Sequence, residues 1–132
     1  MKTILLGEIL NQNTSLRKSL GPFTEVLYDV EKSIPFNLRY NFYNNLSTLK
    51  VQLNLDKTKI LKNFYSFGIY DAKENKIIID SYAIKKFLKK NNINVIYFNK
   101  YINLFLYHEV MHMASSKKDG NIYYSGFDKY PV

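Results

Sequence analysis

The sequence predicts a single α+β domain over residues 1–132, with N-terminal helices, a small sheet containing a β-hairpin, and one long helix lying against that sheet. Three observations carry this expectation. Apolar residues recur at helical spacing through the first third of the chain. Residues 64–79 switch to an aromatic and β-branched pattern interrupted by one polar cluster. Residues 97–115 then return to helical length in a largely apolar run, YFNKYINLFLYHEVMHMAS.

Residues 2–20 read as one helix, because Ile4, Leu5, Ile9, Leu16 and Leu20 fall on one face and Gly21-Pro22 stops the run. A second helix is expected over residues 24–32, with Val26, Leu27 and Val30 inward, before Ile34-Pro35 breaks the chain. Leu38, Phe42, Leu46 and Leu49 continue a helical stripe, which predicts a third helix over residues 36–53. The segment from Phe64 to Tyr70, the polar DAKEN of residues 71–75 and the β-branched KIII of residues 76–79 predict strand, turn and strand. Residues 83–90, AIKKFLKK, predict a short helix with Ile84, Phe87 and Leu88 inward and four lysines on a solvated face. The long helix over residues 97–115 is followed by a turn at Lys118-Asp119-Gly120 and a strand-like NIYYSGF.

Composition narrows the function classes. The chain has 132 residues, 46% of them hydrophobic and 23% charged, as expected of a folded globular domain. It has no Cys, which excludes a disulfide scaffold, a Cys-ligated zinc site, an iron–sulfur cluster and a thiol nucleophile. No apolar run approaches bilayer length, so no membrane partner is expected. The opening MKTILLGEILNQ is broken by Glu8 and lacks a small-residue cleavage site, which argues against a signal peptide and for the cytoplasm. The net charge is +8, carried by seventeen Lys and two Arg. Abundant Lys, Asn, Ile and Tyr are what AT-rich codons encode. Arg, the residue suited to bidentate phosphate and base contacts, is scarce. A solvated basic surface is therefore expected, and a basic nucleic-acid-binding protein is the weaker alternative.

One motif carries chemistry. Residues 108–112 read His-Glu-Val-Met-His, the H-E-x-x-H pattern. Residues four apart on a helix share a face, so His108 and His112 can both reach one Zn2+. Glu109 is rotated about a quarter-turn round the helix, where it addresses a water rather than the metal. Zinc acidifies such a water and polarises a substrate carbonyl, and Glu109 serves as general base in hydrolysis of a peptide or protein substrate. The flanking residues are uncharged, the segment is helical by pattern, and both histidines of the chain lie in the motif. Met111 and Met113 are expected to pack in the core.

A catalytic zinc takes three protein ligands and keeps one position open. The metzincin extension requires Gly and a further His where this chain has Ser115 and Lys118, and the gluzincin pattern requires a later Glu, which is absent. Asp119 sits in a turn that favours Asp for its own sake. Asp128, after Gly126-Phe127, is the better-placed candidate for the third ligand. Asp71, Glu74 and Asp80 lie upstream, and no spacing singles them out. Tyr123, Tyr124 and Tyr130 are candidates for a hydrogen bond to a developing oxyanion.

Residues 107–116, YHEVMHMASS, together with residues 122–127, IYYSGF, resemble small zincin-type, gluzincin-like metallopeptidases of low-GC Gram-positive bacteria and their mobile elements. The resemblance covers about twenty residues, and its specific part is H-E-x-x-H. It implies a zincin-like fold, with His108 and His112 as zinc ligands and Glu109 as base. In such enzymes a hairpin precedes the motif helix, and its edge receives the substrate as an added strand; a plain structural hairpin fits residues 64–79 equally. In this family an Asn-Glu-Gly helix supplies the last ligand, whereas this sequence runs only to Val132. Three expectations follow: recruitment of Asp128, completion of the site by a partner chain, or a truncated, catalytically inactive zincin-like binding module.

Overall fold

The computed structural model describes residues 6–54 and 67–116. Its architecture is α+β: among the described residues six α-helices surround a three-stranded mixed sheet. Helices α1 (Leu6–Gln12), α2 (Thr14–Leu20), α3 (Glu25–Ser33) and α4 (Phe36–Leu46) precede strand β1 (Lys50–Asn54). Strands β2 (Gly68–Asp71) and β3 (Lys76–Asp80) follow, then α5 (Ser81–Lys90) and α6 (Phe98–Ala114). The expected second helix, lysine-faced helix and long motif helix are present with ends shifted by one or two residues, and the hairpin is present with its first strand starting at Gly68 rather than Phe64, residues 64–66 lying outside the described residues.

Two expectations are corrected. The helix predicted over residues 2–20 is broken at Asn13, whose backbone leaves the helical region at φ −101° and ψ 71°. The Asn13 side chain accepts from the Leu16 amide at 3.1 Å, capping α2, and donates to the carbonyls of Leu46 and Leu49 at 3.1 and 3.2 Å. The apolar stripe runs on through both pieces because Ile9, Leu10, Leu16 and Leu20 all enter the same core.

The helix predicted over residues 36–53 ends at Leu46, and residues 50–54 are strand. Leu49 is buried as the stripe implied, but it is reached through a tight turn in which Thr48 bonds Asn45 and Leu49 bonds Leu46. Beyond it, exposed Lys50, buried Val51 and half-buried Gln52 and Leu53 occupy a ladder. Pairing with the isoleucines of β3 overrides local helical spacing.

Strand β3 is the central strand. It pairs in parallel with β1, Val51 opposite Ile77 and Leu53 opposite Ile79, and antiparallel with β2, Gly68 opposite Ile79 and Tyr70 opposite Ile77. Side chains alternate across a sheet, so Ile77, Ile79, Gly68 and Tyr70 share the inner face. Ile77 and Ile79 are fully buried there, and α6 packs along β2 and β3. Helices α3 and α4 cover α6 from the other side. Leu27, Val30, Phe42, Leu46, Leu106, Val110 and Met113 join one core between these layers. Among the described residues no helix is long and apolar enough to cross a membrane.

Candidate metal centre

Helix α6 carries the motif in its last two turns. His108 and His112 lie half-buried with their Nε2 atoms 3.1 Å apart and their rings inclined at 77°. An atom bound by both nitrogens at the usual zinc–nitrogen length of about 2.05 Å would see this 3.1 Å pair under an angle of about 100°, near the tetrahedral value. The pair therefore fits two adjacent vertices of a zinc site. Without metal the same separation suits a hydrogen bond, formed when one imidazole carries its proton on Nε2 and the other does not.

Glu109 is 7% exposed, an unusual place for a carboxylate. The structure seats it over the inner face of β2 at Gly68. A β-carbon at Gly68 would stand 3.4 Å from the Glu109 Cγ and 3.5 Å from its Oε2. Both are ordinary contact distances, so the carboxylate lies directly over the strand at this glycine. Phe67, immediately before, stacks edge-on against Phe87 at 5.4 Å and Phe105 at 5.0 Å, fixing the start of β2 against α5 and α6.

The end of α6 is closed by side chains from outside the helix. A helix leaves its last four carbonyls without intrahelical partners. Here those of Met111 and His112 accept from the Ser115 amide and hydroxyl, at 3.1–3.2 Å. The Met113 carbonyl accepts from the Ser116 amide at 3.2 Å and from Asn45 Nδ2 at 3.0 Å. The Ala114 carbonyl accepts from Asn41 Nδ2 at 2.8 Å. Asn41 and Asn45, one turn apart on α4, both also donate to the Ser116 carbonyl.

This closure extends to the hairpin. Asn75, in the β2–β3 turn with a left-handed φ of 52°, donates through Nδ2 to the Asn45 carbonyl at 2.7 Å and to the Thr48 hydroxyl at 2.9 Å. Its Oδ1 accepts from the Tyr70 hydroxyl at 2.7 Å. Burial raises the Tyr70 phenol above its usual value of 10.0, the Asp71 carboxylate adds to this, and a hydrogen bond with Ser116 opposes it.

Against this geometry the sequence-derived residues sort clearly. The His108 and His112 Nε2 atoms lie 3.1 Å apart, Glu109 is buried against β2, and Met111 and Met113 are core, as expected of the methionines. Asp71 caps its own turn through the Lys73 and Glu74 amides, and Asp80 caps α5 through Ala83. Asp128, Asp119, Tyr123, Tyr124 and Tyr130 lie outside the described residues, as does the strand expected near residues 121–127. Among the described residues no third His, Asp or Glu joins the histidines to form a metal-holding group.

No protein-family model, curated protein or solved structure matches the chain. Its site is therefore defined by its own geometry. Sequence reading missed Gly68, Asn41, Asn45 and Asn75. Two Asn at i and i+4 inside a helix were the available signal, since Asn is a poor helix former unless its amide has work elsewhere.

Proposed function

We propose that this chain is a zincin-like zinc metallopeptidase that hydrolyses peptide bonds. The observation that carries the reading is the convergence of His108 and His112 at 3.1 Å beside a Glu109 buried against strand β2. In this reading the two Nε2 atoms hold Zn2+, and the third ligand comes from Asp128 or from a partner chain. When bound, the zinc supplies a Lewis acid that polarises the scissile carbonyl and acidifies water.

The chain's own groups do the rest. The Glu109 carboxylate takes a proton from the attacking water and delivers it to the leaving amine nitrogen. Its seat on β2 holds that carboxylate in one place, so little reorganisation accompanies the transfer. Strand β2 has β3 on one side only among the described strands, and its Ile69 is 41% exposed. An extended peptide pairing along the other edge of β2 would pass beside Glu109, with main-chain hydrogen bonds giving affinity.

Metal analysis of purified protein tests this reading. About one zinc per chain is expected, lost in the His108→Ala/His112→Ala variant. Glu109→Gln should keep the zinc and lose hydrolysis. Hydrolysis surviving in Glu109→Gln would remove the proposed base. Zinc without hydrolysis in the unaltered chain would favour the inactive binding module, and failure to take up zinc would overturn the metal site itself.

A further inference from the structure

We propose that Asn45, assisted by Asn41, is a positioning residue for the histidine pair: it holds the last turn of α6 in register and ties that turn, through Asn75, to the edge strand β2. The inference rests on the zinc reading above and adds residues that touch neither metal nor substrate.

His112 sits near the C-terminal end of its helix. It lies two residues before the end of α6, in the turn where helices fray. His108 lies one turn earlier. If the last turn opens, the two imidazoles separate and two-point ligation is lost. Ser115 and the Ser116 amide close part of that turn locally, and donors from α4 close the rest. Asn45 supplies one to Met113 and one to Ser116, both at 3.0 Å, across 68 and 71 residues of sequence. Asn41 supplies another to Ala114 at 2.8 Å.

Asn45 is itself anchored, because its own carbonyl accepts from Asn75 at 2.7 Å, and Asn75 accepts from Tyr70 on β2. The strand that seats Glu109 and the turn that carries His112 are thus joined by one continuous hydrogen-bonded path.

The molecule contains its own control. Asn91 donates through Nδ2 to the Phe87 carbonyl at 2.8 Å, an exposed bond within one turn at the end of α5. Its loss should cost stability without reaching the histidines, which lie on α6.

Cobalt(II) alone is the probe, followed by its tetrahedral absorption, with thermal unfolding measured on the same samples. The variants are Asn45→Asp, which keeps the shape and replaces the donor by an oxygen facing two carbonyls, Asn45→Ala, Asn41→Ala and Asn91→Ala. Both Asn45 variants should bind cobalt at least about tenfold more weakly than the unaltered chain, in line with the effect of losing a group that orients a ligand. Asn91→Ala should keep its affinity even where its melting temperature falls.

Should Asn45→Asp fail to fold, Asn41→Ala, which leaves the Asn45 bonds intact, should still weaken binding measurably. Equal affinity in folded Asn45 and Asn41 variants, or an equal loss in Asn91→Ala, would overturn the positioning role and leave the zinc reading standing. An unaltered chain that binds no cobalt would overturn both.

Discussion

Gly68 shows how much can rest on a missing side chain. A β-carbon there would come within 2.7 Å of the Ile79 Cδ1 and into contact with Glu109. Ile79 is fully buried, so its terminal methyl has little room to turn away. Gly68→Ala should therefore lower stability by about 1–2 kcal/mol, the usual cost of overpacking a core, measured by urea unfolding. An unchanged midpoint would mean that the strand yields at that point. Ser81 makes the opposite case. Its hydroxyl is buried and makes no hydrogen bond among the described residues. Ser81→Ala should leave stability unchanged or raise it, because an unpaired buried hydroxyl costs more than it returns. At this scale the H-E-x-x-H motif was readable because its spacing is local. Gly68 and Asn45 were not, because their significance comes from residues far along the chain.

Among the elements, Asn13 joins what it interrupts. It ends α1, caps α2 and grips the carbonyls of Leu46 and Leu49, where α4 gives way to β1. Asn13→Ala removes a cap and the side-chain donor to the Leu46 and Leu49 carbonyls, of which Leu46 keeps the Leu49 amide, and should cost about 1–3 kcal/mol. Thermal unfolding checks this, and Asn13→Asp, which keeps the cap but not the donors, separates the two contributions. Helices α3, α5 and α6 were readable because their apolar periodicity agrees with their tertiary surroundings. Strand β1 was not: KVQLN carries a weak alternation, and the Leu38–Leu49 stripe reads equally as helix. Its strand state is imposed by the parallel ladder with β3, a pairing that no local pattern announces.

At the scale of the whole molecule, two phenols among the described residues, Tyr43 and Tyr70, are held in hydrogen bonds. Burial raises both above 10.0; Tyr43 is raised further by its hydrogen bond to Glu31, and Tyr70 by the Asp71 charge. A group whose pKa is higher folded than unfolded contributes fully below its unfolded value, and that contribution is lost as pH rises through its folded value. Stability should therefore fall above about pH 10. The many lysines also titrate there, so the informative quantity is a difference. Denaturant midpoints of the unaltered chain and Tyr70→Phe should run parallel below pH 9.5 and converge above 10 if Tyr70 carries its share; curves that stay parallel throughout would exclude it. The α+β class, the hairpin and the packing of the motif helix on the sheet were all readable, since each follows from patterns along one stretch of chain. The layering of α4 over the end of α6 was not.

That layering has a consequence for how the molecule assembles. The bonds from Asn41 and Asn45 to α6 span 68 to 75 residues, among the longest loops the fold must close. Closures over such separations come late, after local helices and the hairpin have condensed. On that ground the imidazole pair is expected among the last features to acquire its native spacing. A cation that requires both nitrogens would meet a finished protein, and its capture during refolding would time the closing step rather than initiate it.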